Sequence, residues 1–192
     1  NPPIQEIIDF NLVSDFINLL NNSYPEFQYE ALWCLTNIAS GTSDQANTII
    51  VKGGLNQIIS LVDSPIEELQ NQAVWTIGNL AGDSSKSREQ IIQQKGFEKI
   101  INVFSSTQRN SLIKNCTWAI SNFLKIKPIM KYENCESCII HIIRGINLLS
   151  EDIDFLIDAC WVLSFMTENY KKSISVILDS NILPLLFKFL NL

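Results

Sequence analysis

Apolar residues recur at spacings of three and four along most of the chain. In "YEALWCLTNIASG", Ala31, Leu32, Leu35, Ile38 and Ala39 form one stripe, the mark of a helix with one side turned to a core. Alternating apolar and polar runs joined by hairpin dipeptides are weak, so strands are not expected. The pattern predicts a succession of helices. A short one covers roughly Asp44 to Val51, a second lies in "LNQIISLV", and a third, longer one starts at "SPIEELQ". Ser64 can cap that helix, Pro65 suits its first position, and Glu67 completes a capping box; Ser23 and Glu26 repeat the spacing earlier in the chain.

The pattern is periodic. The only tryptophans are Trp33, Trp75, Trp118 and Trp161, and they are 42, 43 and 43 residues apart. Alignment on them gives "EALWCLTNIASG", "QAVWTIGNLAGD", "NCTWAISNFLKI" and "DACWVLSFMTEN". Asn37, Asn79 and Asn122 stand four residues after the first three tryptophans, and Phe165 after the fourth. Gly53 and Gly96 lie 20 and 21 residues beyond Trp33 and Trp75, with Asn181 and Asn11 in corresponding places. Glycine and asparagine tolerate the positive φ of a tight helix–helix turn. A period of this length belongs to two- or three-helix solenoid repeats of about 40–47 residues. The expected fold is an all-α, right-handed stack of three-helix repeats with a core shared between neighbours and one long concave face.

The tryptophans lie off the core stripe. Trp33 shares a helix line with Glu30, Asn37 and Gly41; Trp75 with Gln72, Asn79 and Asp83; Trp118 with Asn115 and Asn122; Trp161 with Asp158 and Phe165. Three asparagines buried in register would each need hydrogen-bond partners, and an unsatisfied buried amide costs about 1–3 kcal/mol. An accessible Trp/Asn line removes that difficulty, and a row of exposed indoles marks a binding surface. Packed helices sit ~8–10 Å apart and an extended peptide advances ~3.3 Å per residue, so about three peptide residues pass each repeat. An asparagine amide can pair with both backbone groups of such a peptide. Slots between indoles suit the methylene stem of lysine or arginine, with cation–π attraction of ~0.5–2 kcal/mol. Asp83, past its helix end, is placed to receive the ammonium; Asp44, Glu30 and Asp158 add negative potential.

Composition agrees with that partner. The net charge of −6 over 192 residues fits a basic ligand and argues against nucleic acid. No apolar run reaches the ~18 residues of a membrane span, and no secretory leader is visible. The chain opens on Asn1 and reads as a piece of a longer one. Its five cysteines, Cys34, Cys116, Cys135, Cys138 and Cys160, are odd in number and read as reduced thiols of an intracellular protein. "CESCIIH" spaces Cys135, Cys138 and His141 by three, but a second ligand pair is missing and the segment is an apolar helix, so core thiols are expected in place of a metal site. With one histidine, no glycine-rich phosphate loop and no nucleophile elbow, neither an enzyme nor a cofactor is expected.

The linked units "ALWCLTNIASGTSDQ" and "QAVWTIGNLAGDS", continued by "CTWAISNFLKIKP" and "ACWVLSFMTEN", resemble the armadillo-repeat domain of the importin alpha family over nearly the whole chain. The resemblance implies one armadillo-repeat fragment over residues 1–192, of about four repeats, partial at both ends. It implies a nuclear import adaptor, shuttling between cytoplasm and nucleus, that binds basic nuclear localisation signals at its major site. By position, Trp33, Trp75, Trp118 and Trp161 would wall the lysine slots and Asn37, Asn79 and Asn122 would hold the peptide backbone. Asp83, with the Gly41 carbonyl, would take the most strongly selected lysine; Gln72, Asn115 and Asp158 would assist. An importin beta carrier is implied through a basic segment outside this chain, as are later repeats with a minor site. The chain departs from the family at Ala46 or its close neighbours, where a threonine hydroxyl usually stands near the main lysine, and at Phe165, where tyrosine is common. The rival expectation is a general armadillo scaffold, which would usually line its groove with basic residues for acidic partners.

Overall fold

The computed structural model describes residues 3–189. Among them there are fourteen helices and no strand. They fall into triplets. The first is α1 (Ile4–Asp9), α2 (Leu12–Leu19) and α3 (Pro25–Ala39). The second is α4 (Ser43–Val51), α5 (Leu55–Leu61) and α6 (Glu67–Asp83), and the third α7 (Ser85–Gln93), α8 (Gly96–Ser106) and α9 (Asn110–Lys125). The fourth is α10 (Tyr132–Cys135), α11 (Cys138–Leu148) and α12 (Ile153–Asn169), followed by α13 (Lys171–Asp179) and α14 (Leu183–Phe189).

The long third helices α3, α6, α9 and α12 pack side by side, each against the next. Their apolar stripes close the core between them. Leu32, Leu35 and Ile38 of α3, Ile77 and Leu80 of α6, and Ile120 and Phe123 of α9 are all fully buried. Each such side chain contributes about 1.5–3 kcal/mol by leaving water. Polar side chains tie neighbouring repeats at the same interval. Among the described residues no side-chain hydrogen bond spans more than the 44 residues separating Asn115 from Asn71 and Ser111 from Glu67.

The helix starts differ from expectation. α6 begins at Glu67 with Ile66 at its cap position and no side-chain cap; the Ser64 hydroxyl instead accepts from the Ile66 N–H (3.2 Å), forming a turn ahead of the helix. α3 starts with Pro25 at its first position, as proline's fixed φ favours, but Tyr24 holds the cap place and Ser23 caps nothing. The complete capping box is at α4, where Thr42 and Gln45 satisfy each other's backbone N–H groups.

The turns also differ in one place. Gly53, Asn11 and Asn181 take positive φ (81°, 59° and 59°) as expected, but in the third repeat the left-handed residue is Lys95 (62°), not Gly96. Gly96 serves a close approach: a Cβ there would meet Ile91 Cγ2 at 2.6 Å and Ile59 Cδ1 at 3.0 Å. The left-handed place is set by the chain path, and a lysine bears its strain, of about 1–2 kcal/mol, when the surrounding helices impose it.

Arg88 of α7 is fully buried. Its guanidinium donates to the carbonyls of Phe123 (3.4 Å), Ile126 and Pro128 (2.5 Å), and pairs with Glu89 (2.9 Å). It thereby holds the last turn of α9 and the segment after it. All five cysteines are free thiols; Cys135 and Cys138 are sealed in the core, and burial pushes both thiols up. No three His, Cys, Asp or Glu residues converge as a metal site among the described residues. No described helix is long and apolar enough to cross a membrane.

Candidate functional site

The indoles stand beside the core rather than in it. Trp33, Trp75 and Trp161 are 46%, 43% and 55% exposed, while Trp118 is half-buried against the core. Trp118 sinks deeper because it leans on α6 at Gly78, where a Cβ would come within 2.5 Å of its ring. From there it meets Trp75 edge to face, with centroids 6.5 Å apart. Trp75 and Trp118 therefore form one continuous aromatic wall across α6 and α9.

The asparagines differ among themselves. Asn37 is half-buried and its amide donates to its own helix at the Trp33 carbonyl (3.1 Å). Asn79, also half-buried, reaches the Thr36 carbonyl of the preceding third helix at 3.4 Å. Asn122 is 5% exposed; its Oδ1 accepts from Lys125 (2.5 Å), and its Nδ2 is buried without a partner. In the fourth repeat Phe165 stacks on Trp161 at 5.6 Å and 25°.

A pocket of about 430 Å³ opens between the second and third repeats, lined by Gly41, Asn79, Asp83, Trp118, Asn122 and Lys125 among others. Five of the expected site residues thus converge there. Asp83, the last residue of α6, is half-buried. Its Oδ1 accepts from the Ser43 hydroxyl at 2.6 Å. Ala46, by contrast, is 1% exposed and offers the pocket nothing. A neighbouring pocket joins Asn37 and Gly41 to Glu6 and Gln45, extending the surface toward α1.

The residues three before each tryptophan do not share one surface. Gln72 was expected on the accessible line and is instead 5% exposed; its Nε2 donates to Thr36 Oγ1 (2.7 Å), which lies 2.6 Å from Thr76 Oγ1. With its amide committed inside the junction, Gln72 has no surface for a ligand. Asn115 is half-buried and donates to Asn71 across the α6–α9 seam (3.0 Å). Asp158 is half-buried; burial and then the neighbouring Asp154 push its carboxyl up, opposed by Lys114. Glu30 is exposed. Ser43, Gly78 and Lys125 join the site without having been expected there. The signals for them were a mid-helix glycine in "TIGNLAGD" and a lone lysine three residues after a Trp+4 asparagine.

Repeated helix triplets, a shared core and a tryptophan-lined face define an armadillo-repeat solenoid. The Armadillo/beta-catenin-like repeat model matches residues 1–40 and 42–82. Across nearly its whole length the chain is similar to importin alpha subunits. It is 35% identical over 191 residues to importin subunit alpha-3 of Arabidopsis thaliana, covering 99% of this chain and 36% of that protein. It is 36% identical to subunit alpha-1b of Oryza sativa, covering 99% and 35%, and 38% identical to subunit alpha-B of Dictyostelium discoideum, covering 95% and 36%. The chain thus spans about a third of the length of the curated relatives it matches. A designed armadillo repeat protein in complex with the peptide (KR)4 shares the fold at a TM-score of 0.82 and 23% identity, covering 96% of this chain and 77% of that one.

Proposed function

We propose that the face formed by α3, α6 and α9 binds lysine-rich nuclear localisation signals in extended form, and that the chain is a cargo-recognising part of a nuclear import adaptor. The observation that carries this reading is the pocket between the second and third repeats. There a carboxylate (Asp83) stands with Asn79, Asn122 and Trp118. A lysine stem passing Trp118 would bring its ammonium to the Asp83 oxygen that Ser43 leaves unused. Asn79 would hold the peptide backbone through its amide, and Asn122, whose Nδ2 faces inward, would contribute only its Oδ1 as an acceptor. Ser43 supplies a hydroxyl close to Asp83 where Ala46 has none, and so restores part of the polar lining. Shuttling between cytoplasm and nucleus, and an importin beta partner engaged outside this chain, follow from that role. The designed relative's solved complex is with a basic peptide, (KR)4, the same ligand chemistry. A net charge of −6 favours basic ligands over nucleic acid.

A general armadillo scaffold with the same fold would prefer acidic peptides. Fluorescence anisotropy with a lysine-rich and an acidic peptide, against the native chain and Asp83→Lys, separates the readings. The lysine-rich peptide is expected to bind the native chain and to lose about thirtyfold or more with Asp83→Lys, at unchanged helicity. A charged partner lost from a partly desolvated pair costs at least ~2 kcal/mol. Equal affinity of both proteins for the basic peptide, or preference for the acidic one, would overturn the assignment.

A further inference from the structure

The Asp83 pocket is not uniformly acidic. Its far edge, at the end of α9, carries the exposed Lys125. The corresponding place after the other tryptophans holds Ser40, Gly82 and Glu168, so a cation stands there only in the third repeat. Gly82 leaves the opposite wall open: a Cβ at that position would lie 3.0 Å from Asn122 Oδ1. Lys125 donates one of its three N–H groups to that same oxygen at 2.5 Å, which leaves two for a ligand. The bond also fixes the amide so that Nδ2 faces inward, buried and unpartnered. Arg88, bonded to the Phe123 and Ile126 carbonyls, holds the turn that carries both residues.

We propose that Lys125 is a specificity-determining residue of the groove. It selects a carboxylate side chain in the bound peptide, about three residues from the lysine that Asp83 holds. This rests on the peptide-binding reading above and sharpens it: the preferred ligand is a basic run interrupted by an acid at one defined place, not a uniformly cationic string. The spacing follows from the fold. Asp83 ends α6 and Lys125 ends α9, adjacent helices lie ~8–10 Å apart, and an extended chain covers that distance in about three residues. A lysine at the same peptide position would face the Lys125 ammonium and be disfavoured; a glutamate would accept from it.

The test is a peptide scan. A lysine-rich parent peptide is varied one position at a time to Glu and to Lys. Each peptide is titrated by anisotropy against the native chain, Lys125→Met and Lys125→Glu. Lys125 is exposed, so both variants retain the fold, which circular dichroism checks. One position, about three residues from the lysine most sensitive to Asp83→Lys, is expected to prefer Glu over Lys by about fivefold in the native chain. The preference vanishes in Lys125→Met and reverses in Lys125→Glu. The same preference in all three proteins, or none at any position, overturns the role of Lys125 while binding of the parent peptide still upholds the groove. Failure of the parent peptide to bind the native chain overturns both readings.

Discussion

In the second repeat, Trp75 is followed at the next helical turn by Asn79, whose amide reaches back to the Thr36 carbonyl of α3. In the fourth, Trp161 is followed by Phe165, which stacks flat on it. Three residues before Trp75, Gln72 is buried and bonded to Thr36; three before Trp161, Asp158 is half-buried, its carboxyl pushed up by burial and by Asp154. The two helices place an indole identically and surround it with different chemistry. Under the proposed function, the regular spacing of tryptophans would fix where side chains are gripped, and the intervening residues would decide whether a peptide backbone is held as well. On the proposed reading the second repeat would both grip and hold, and the fourth would only grip.

Three substitutions break or sharpen that contrast. The largest effect is expected at Thr36→Val. It removes the hydroxyl that accepts from Gln72 and contacts Thr76, and so leaves a buried amide unsatisfied at about 2 kcal/mol. The melting temperature should fall by roughly 4–8 °C, while affinity for a lysine-rich peptide stays within twofold, because Gln72 does not face the groove. A matching loss of affinity would return Gln72 to the binding surface. Next is Asn79→Ala, which takes away a backbone holder without touching the indoles; affinity should fall about fivefold, close to one hydrogen bond, with little change in melting. The smallest is Phe165→Asn, which gives the fourth repeat the amide it lacks. Peptides long enough to reach α12 should bind up to about threefold tighter, and shorter ones equally well; a gain for the short peptide would show that the change acts elsewhere.

Much of this architecture was written in local pattern. The tryptophan period, the apolar stripes of α3, α6 and α9, and the turn glycine Gly53 are each properties of one helix or one turn, and single-chain periodicity reports them directly. The difference between Gln72 and Asn115 was not legible, because each depends on a residue about 40 positions away. Gln72 goes inward because Thr36 offers a small hydroxyl there. Asn115 turns sideways because Asn71 meets it. Likewise, Gly78 reads as a weak point in a helix until Trp118 is seen resting on it. The capping boxes at Ser23 and Ser64 failed for a related reason. A serine near a proline can form a local turn as readily as a cap, and at Ser64 the turn wins.

Among the described residues, the side-chain hydrogen bonds between repeats reach one repeat forward or back and no farther. The molecule is therefore mechanically closer to a zipper than to a globule. Opening should begin at whichever outer triplet is least supported and run inward, so amide exchange ought to be slowest near α6 and α9 and faster on both sides. The most protected stretch would then coincide with the Asp83 pocket, and partial fraying of the flanks would leave it shaped.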